Sequence, residues 1–205
     1  MVRLALTELR KMNCDGYIFP ADYYDIPGVE CFRDLEAVKR HAFEKLKSYQ
    51  AETADVYLNG GMSMETLAVI QAAARLDIRL NLWHYDREGE TYVCQKLCWK
   101  PAVRGGEEKE AGEEMFLCRG RHWSPEEKSV FSVIPADKIF DFQWQEEQAG
   151  EALKGSRGKK VRICVSGLTS AMVSVLNAAA KEEVSVVCLH YDYDTEEYFP
   201  QDMDE

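Results

Sequence analysis

Two turns that contain glycine hold the residues best suited to bind an anion. They are Asn59-Gly60-Gly61-Met62-Ser63 and Ser166-Gly167-Leu168-Thr169-Ser170. Each follows a short β-rich run and precedes a predicted helix, where glycine lets the backbone approach a ligand and helix N–H groups attract a phosphate or carboxylate. Ser63 and Thr169 stand where an N-cap is expected, and their hydroxyls could contact the same ligand. A purely structural turn would use the same residue types, so both interpretations stay open.

A His-Tyr-Asp triplet occurs twice, each time at the carboxyl end of a predicted strand. The triplets are His84-Tyr85-Asp86 and His190-Tyr191-Asp192. Alternation along a strand places the histidine and the aspartate of each triplet on one face, and open α/β sheets bind ligands at this edge. The pairs could contact a ligand, bind a metal or act as general acid and base. Alternatively, each aspartate turns the chain and each histidine bonds to the backbone.

The motifs of the common nucleotide-binding and hydrolytic sites are absent from the sequence. No Gly-Lys-Ser/Thr follows either turn, the third glycine of the dinucleotide fingerprint is missing, and no Gly-x-Ser-x-Gly or His-Glu-x-x-His occurs. We therefore predict neither a cofactor nor a metal.

One segment of the chain occurs twice. At an offset of 106 residues, 56–95 aligns with 162–201 without a gap, and 11 of the 40 pairs are identical, where roughly two or three are expected from average composition. The identities include Gly61 with Gly167, an Ala-Ala-Ala run and the His-Tyr-Asp triplets. A period this long indicates paired domains or half-domains.

Each copy alternates apolar strands with amphipathic helices. Strands are predicted at 56–58, 78–85, 161–165 and 184–191, and helices at 63–76 and 169–182. Polar turns after the second strand of each copy predict antiparallel hairpins. The pattern predicts an α/β fold with duplicated, Rossmann-like βαβαβ units, a mainly parallel sheet and antiparallel edge hairpins. We expect a first unit at 1–100, a connector loop and strand at 101–132 and a second unit at 133–205.

Composition narrows the function classes. The 205 residues carry a net charge of −11, which disfavours duplex nucleic acid and anionic membranes as partners. Seven of the acids and no base lie between 192 and 205, so a local anion site remains compatible with this charge. No apolar run reaches the roughly 18 residues of a membrane helix, and seven cysteines without framework spacing fit a reducing compartment. We expect a cytoplasmic protein.

The segment from Asp55 to Ser63, with the alanine-rich helix and the strand that follow, resembles the glycine-turn motif of CARF (CRISPR-associated Rossmann fold) domains. The resemblance covers about 32 residues, and a degenerate version recurs at 166–169. In that family Thr-Gly-Gly-Thr-Lys is usual, so the basic residue is absent here. Anion contacts would rest on backbone N–H groups and hydroxyls, with Lys159, Lys160 and Arg162 as the nearest cations.

The resemblance implies a sensor of type III CRISPR antiviral defence that binds cyclic oligoadenylate, or a similar small nucleotide, as a homodimer. Some CARF proteins cleave the ring without a metal, and Ser63 and Thr169 are then the candidate catalytic residues. The other turn residues and both His-Asp pairs are the candidate ligand-binding residues. Two alternatives remain: a non-catalytic α/β scaffold that oligomerises, and a metal-dependent hydrolase that uses the His-Asp pairs.

Overall fold

Apolar strands, glycine turns and amphipathic helices follow one another in the same order in both halves of the chain. The computed structural model describes residues 1–8, 12–23, 34–60, 63–101, 111–118, 128–165, 168–192 and 195–204. These residues divide into two units, Met1–Leu97 and Cys98–Glu205. Within the described ranges, no helix combines the length and the apolar character that crossing a membrane requires.

The first unit is a five-stranded sheet with two helices. Its elements are β1 (Val2–Thr7), β2 (Gly16–Phe19), α1 (Leu35–Ser48), β3 (Thr53–Leu58), α2 (Ser63–Arg75), β4 (Arg79–Asp86) and β5 (Thr91–Lys96). The strand order is β2-β1-β3-β4-β5. The first four strands are parallel, and β5 pairs antiparallel with β4.

The second unit has the same architecture. Its elements are β6 (Ala111–Cys118), β7 (Ser129–Phe131), α3 (Phe142–Leu153), β8 (Lys160–Cys164), α4 (Thr169–Glu182), β9 (Ser185–Asp192) and β10 (Glu197–Asp202). The strand order is β7-β6-β8-β9-β10, and only the β9–β10 pair is antiparallel. The predicted duplicated α/β fold with edge hairpins is therefore confirmed. The strands β6 and β7, which lie within the predicted connector, are part of this unit.

Both helices of a unit lie on one face of its sheet. The crossovers β2-α1-β3 and β3-α2-β4 advance in the same direction across the sheet, so two right-handed connections place α1 and α2 on the same side. The two helices also contact each other. We call this side the helix face and the other side the opposite face. In the first sheet Leu4, Val56 and Leu82 occupy one cross-strand row on the helix face and are fully buried.

Strand register corrects the ungapped alignment of the two copies at one place. Tyr57 lies opposite Trp83 in the first unit, whereas Cys164 lies opposite Leu189 in the second. Since β4 and β9 match at an offset of 106, β3 and β8 match at an offset of 107. The second turn is thus one residue shorter, and the alignment of Gly61 with Gly167 needs a gap nearby.

The edge strand β10 contains a proline. Pro200 lies opposite Leu189 of β9, and the first unit has Cys94 at the corresponding position, opposite Trp83 of β4. Proline has no backbone N–H, so it is tolerated in a sheet only where that N–H would point away from the neighbouring strand. The backbone nitrogen of Pro200, which has no hydrogen to donate, therefore faces the outer edge of β10.

Candidate functional site at the carboxyl edges of the sheets

The first glycine turn is held in place by the side chain of Asn59. Asn59 is 6% exposed, and its Nδ2 donates to the carbonyl oxygen of Thr7 at 2.8 Å. Its Oδ1 accepts from the backbone N–H of Thr7 at 3.2 Å. These two bonds join the carboxyl end of β3 to the carboxyl end of β1. The amide of Asn59 therefore positions the turn.

The rest of the first turn leads directly into α2. Gly60 is exposed and has a φ of 156°, a backbone conformation that side chains with a Cβ rarely adopt. Gly61 and Met62 lie outside the described residues. Ser63 is half-buried and is the first residue of α2. The sequence predicted it to be the N-cap, which is the position just before the helix. Its hydroxyl therefore lies at the start of the helix, beside the turn.

The second turn has a different helix cap from the one predicted. Ser166 and Gly167 lie outside the described residues, and α4 begins at Thr169. Leu168, with an extended backbone (φ −76°, ψ 126°), is the N-cap and makes no side-chain cap hydrogen bond. The predicted capping role of Thr169 is therefore wrong, because the extended residue that precedes the helix is Leu168. A leucine has no acceptor, so the cap residue leaves the first N–H groups of α4 without a side-chain partner of its own.

The hydroxyl groups at the start of α4 differ in their surroundings. Leu168 is 39% exposed and Thr169 is half-buried, which keeps both near solvent. Ser170 is buried, and its Oγ donates to the carbonyl oxygen of Ile139 at 3.5 Å. Of these two hydroxyls, the Thr169 hydroxyl is the one placed to meet a ligand.

Both histidines lie on the helix face, beside the glycine turns. His84 is in register with Leu58, the last residue of β3, and is 7% exposed. Burial lowers the pKa of His84 to about 4, although its hydrogen bond with Gln95 acts in the opposite direction. His190 is also buried, and its Nε2 lies 2.8 Å from Oε1 of Gln201. Burial lowers the pKa of His190 as well, so both rings are neutral at pH 7.

The aspartates of the two triplets are at the starts of the hairpins. Oδ1 of Asp86 accepts from the backbone N–H of Glu88 at 3.0 Å, which closes the β4–β5 turn. Asp192 is half-buried and pairs with Glu197 across the β9–β10 hairpin. No group of three or more His, Cys, Asp or Glu side chains placed to hold a metal occurs among the described residues. The arrangement favours a structural role for each aspartate.

Lys160, a cation near the second turn in sequence, lies at the opposite end of β8 from that turn. Lys160 is the first residue of β8, and its Nζ lies 2.6 Å from Oδ2 of Asp202. Arg162 Nε lies 3.8 Å from Oε2 of Glu114. The turn follows the other end of β8, roughly 16 Å from Lys160 at the rise of a strand. Lys160 is therefore not placed to serve the turn, and the expectation for Lys159 and Arg162 stays a prediction.

Two groups at the carboxyl edges were missed from the sequence. The backbone of Thr7 donates to the side chain of Asn59 through its N–H and accepts from it through its carbonyl oxygen. Gln95 and Gln201 are the partners of the buried histidines. The two glutamines could have been found from the sequence, because they are identical residues at the 106-residue offset of the repeat. Thr7 carries only the weaker signal of a polar residue at the end of an apolar run.

The two Rossmann-like units of the chain are similar in fold to solved SAVED/CARF-domain receptors. The chain is similar to the Cap4 SAVED/CARF-domain containing receptor of Moraxella osloensis, with 11% identity, a TM-score of 0.52, and coverage of 98% of this chain and 49% of that one. The corresponding receptor of Acinetobacter baumannii has 8% identity, a TM-score of 0.52 and coverage of 100% and 50%.

A further structure is the Acinetobacter baumannii receptor with the cyclic trinucleotide 3′3′3′-cAAA, at 9% identity, a TM-score of 0.52 and coverage of 98% and 50%. The chain thus spans about half the length of these receptors, and at such identities the likeness is one of fold. No protein-family model and no curated protein sequence matches the chain.

Proposed function

We propose that this chain binds a cyclic oligoadenylate, or a similar small cyclic nucleotide, at the turn 166–170 of the second unit, and that the turn 59–63 of the first unit can bind the same class of ligand. The observation that carries the proposal is the start of α4, where the exposed Leu168 caps the helix without a side-chain acceptor. A helix start of this kind attracts an anion through its N–H groups and its dipole. Similarity in fold to a receptor solved with 3′3′3′-cAAA supports the ligand class.

Backbone N–H groups and hydroxyls are the proposed phosphate contacts. Ser63 and Thr169 are each the first residue of a helix and half-buried, so each hydroxyl can donate to a phosphate oxygen. Gly60 allows close approach of the ligand to the backbone in the first turn. His84 and His190 support the turns from beneath as neutral rings, and Asp86 and Asp192 border the edge.

Ring cleavage is the finer part of the proposal. A ribose 2′-oxygen would bond to the adjacent phosphorus while the bond from phosphorus to the 5′-oxygen breaks. The 2′-hydroxyl proton then ends on the leaving 5′-oxygen, and the product is a linear oligoadenylate with a 2′,3′-cyclic phosphate. Ser63 or Thr169, each at its own turn, would hold the reacting groups in line, since positioning alone supplies a large part of such a rate.

Calorimetric titration with cyclic tri-, tetra- and hexa-adenylate tests binding, and chromatography of each mixture after incubation tests cleavage. Leu168→Asp would cap α4 with its own carboxylate. We expect it to raise stability by about 0.5–2 kcal/mol and to abolish binding, because the added charge occupies the anion site. Leu168→Asn caps without charge and should weaken binding less.

Thr169→Val removes one hydroxyl at constant shape and should weaken binding about tenfold. Its matched control is Thr53→Val, because Thr53 is half-buried at the amino end of β3. Absence of heat with all three rings at hundreds of micromolar would refute the proposal. Binding without formation of a linear product would support a sensor function and refute the proposed ring cleavage.

An oligomerising scaffold is the second candidate, and one repeated feature favours it. Tyr85 contacts Tyr92 with ring centroids 5.1 Å apart, and Tyr191 contacts Tyr198 at the same distance. Tyr85, Tyr191 and Tyr198 are exposed. If these rings form an interface, Tyr85→Ser and Tyr191→Ser will shift the sedimentation coefficient to that of a smaller species without changing ligand heat.

A further inference from the structure

The C-terminal ends of α1 and α3 have closely similar sequences. At an offset of 107 residues, 41–47 aligns with 148–154, and four of the seven pairs are identical. Ala42 and Leu46 are buried in α1, and the alanine and the leucine at the matching positions of α3 are buried as well. The two helices therefore turn the same side to their sheets, and their outer surfaces can be compared position by position.

One position in this match changes from a large side chain to none. Phe43 of α1 is half-buried, and Gly150 of α3 takes its place in the second unit. In the described part of the chain, a Cβ on Gly150 would meet one atom, Oε1 of Glu182 at 4.0 Å, so packing does not require a glycine. Glycine in the interior of a helix destabilises it relative to alanine. Gly150 therefore needs an explanation other than the fold of its unit.

Gly150 lines an open groove between α3 and α4, which we call the α3–α4 groove. The groove has a volume of about 450 Å³, and its lining combines Gly150 and Ala178 with longer polar side chains. Small residues at a contact allow a second helix to approach closely. The α3–α4 groove therefore has room for the surface of a helix. Its charged residues are Glu146, Glu147, Glu151, Lys154, Lys181 and Glu182.

The α3–α4 groove has an excess of negative charge. Each of its two lysines pairs with one of its four glutamates, and in one of these pairs Nζ of Lys181 lies 2.6 Å from Oε2 of Glu146. The carboxylates of Glu147 and Glu182 are then in excess within the lining. Complementary charge is what selects and orients a partner at a protein surface. The groove therefore favours a partner that brings cations.

The corresponding surface of the first unit has the opposite shape and the opposite charge. Arg40 stands where the second unit has Glu147, and Phe43 stands where it has Gly150. Arg40 and Lys47 are exposed, and Nζ of Lys47 lies 5.8 Å from the centroid of the Phe43 ring. Residues three and four apart lie on one side of a helix. We call Arg40, Phe43 and Lys47 the basic ridge.

We propose that the basic ridge of one molecule docks in the α3–α4 groove of a second copy. Phe43 would lie over Gly150, and the cations of the ridge would lie beside the carboxylates in excess. The contact joins two different surfaces, so it is heterologous. Both surfaces belong to the outer sides of helices and not to the glycine turns, so the inference goes beyond the proposed function and can fail without it.

Sedimentation velocity of the full chain measures the association. We expect the sedimentation coefficient to rise between about 1 and about 200 μM protein, because a contact of this size is weak. Most of that rise should be lost in about 1 M sodium chloride, which screens the charges. Gly150→Phe, which introduces the residue of the first unit, should weaken association at least about tenfold. Gly150→Ala should weaken it about threefold and raise the melting temperature by about 2 °C, and these opposite directions separate docking from a packing role.

Exchange of charges identifies the surfaces that meet. Arg40→Glu and Glu147→Lys should each weaken association at least about tenfold. The double variant should associate within about threefold of the original chain, and so should an equimolar mixture of the two single variants, because both restore opposite charges at the contact. Arg79→Glu makes the same change at an exposed arginine of the first unit that lies outside α1, and it should leave association unchanged.

A chain that stays monomeric up to about 200 μM would overturn the inference and leave the α3–α4 groove to a partner other than a second copy. Unchanged association in Gly150→Phe, or a double variant as weak as the single ones, would overturn it too. Association that is lost in Tyr85→Ser and kept in Arg40→Glu would assign the contact to the tyrosines instead. Calorimetry with cyclic triadenylate on Arg40→Glu should show unchanged affinity, which keeps this inference separate from the proposed function.

Discussion

The two units keep the same helix face and differ on the opposite face. His84 and His190, with their glutamine partners, occupy matching positions under the helices. On the opposite face, Tyr57 and Trp83 of the first sheet are replaced by Cys164 and Leu189 in the second. The comparison shows that the packing of sheet against helices defines the shared fold, while the opposite face is free to acquire a different role in each unit.

A charged pair on the opposite face has exchanged its signs between the units. Arg3 lies in register with Asp55 in the first sheet, and Glu114 with Arg162 in the second. Cross-strand neighbours of opposite charge stabilise a sheet whichever strand carries which sign. The position therefore retains a pair, and in the first unit the arginine also lies over the ring of Tyr57.

The largest expected effect is on stability, and it arises because Leu189 is buried on the opposite face of the second sheet whereas Trp83 is half-buried at the matching position of the first. Leu189→Ala removes a side chain that is 1% exposed and should lower the free energy of unfolding by about 2–5 kcal/mol. Trp83→Leu, at the matching half-buried position, should cost about 1 kcal/mol. Urea unfolding followed by far-ultraviolet circular dichroism measures both. Equal losses would mean that the two faces are packed alike.

The next effect concerns the buried histidine on the helix face. The pKa of His84 is about 4 in the folded chain and about 6.5 when unfolded, so the unfolded state binds the proton more tightly. Stability is complete above pH 6.5 and should fall by about 3 kcal/mol as the pH drops to 4. His84→Gln should flatten this part of the curve of unfolding free energy against pH. An unchanged slope in that variant would contradict the assignment.

A smaller effect is expected at the first glycine turn. Asn59→Ser, which introduces the residue found at 166, removes both bonds to Thr7 and should cost about 2 kcal/mol. Asn81→Ser is the control and should lose less stability, because the half-buried Asn81 amide donates from Nδ2 to Oδ1 of Asp55 at 2.7 Å and does not hold the turn. Thermal unfolding compares the two. A larger loss for the Asn81 variant would show that the turn is held by other contacts.

The smallest effect concerns the ion pair at the amino end of β8. Lys160→Met breaks the contact with Asp202 and should cost less than about 1 kcal/mol, since Lys160 is partly exposed. Affinity for a cyclic oligoadenylate should not change, because the pair lies at the far end of the strand from the turn. A loss of affinity in calorimetry would bring Lys160 back into the site.

Much of the fold could be predicted from the internal repeat. The matched segments place α2, α4, β4, β9 and both hairpins within about one residue of their observed bounds, because glycine, alanine-rich helices and apolar strands leave strong local patterns. The strands β1, β2 and β7 carry weaker patterns, since β2 and β7 are short and β1 precedes the repeated segment. Their place in the sheets depends on pairing with distant residues, which local periodicity does not report.

The candidate site was predicted less completely than the fold. Ser63 and Thr169 are at helix starts as expected, but the cap is Leu168, because the extended backbone before the helix decides the position and not the side-chain type alone. Lys160 is only five residues from Val165 in sequence. Because the strand between them is extended, the two residues lie at opposite ends of β8. The contact between the Tyr57 and Trp83 rings depends on cross-strand register, which the ungapped alignment shifts by one residue.

Pro200 gives the two sheets different prospects for self-assembly. A backbone N–H on an exposed edge strand can template another strand, and proline is one of the residues that block this. At Pro200 the outer edge of β10 lacks a donor, whereas Cys94 supplies one at the matching position of β5. Strand addition from a neighbouring molecule is therefore opposed at β10 and finds a donor at β5, so the first sheet is the one to protect when the protein is concentrated.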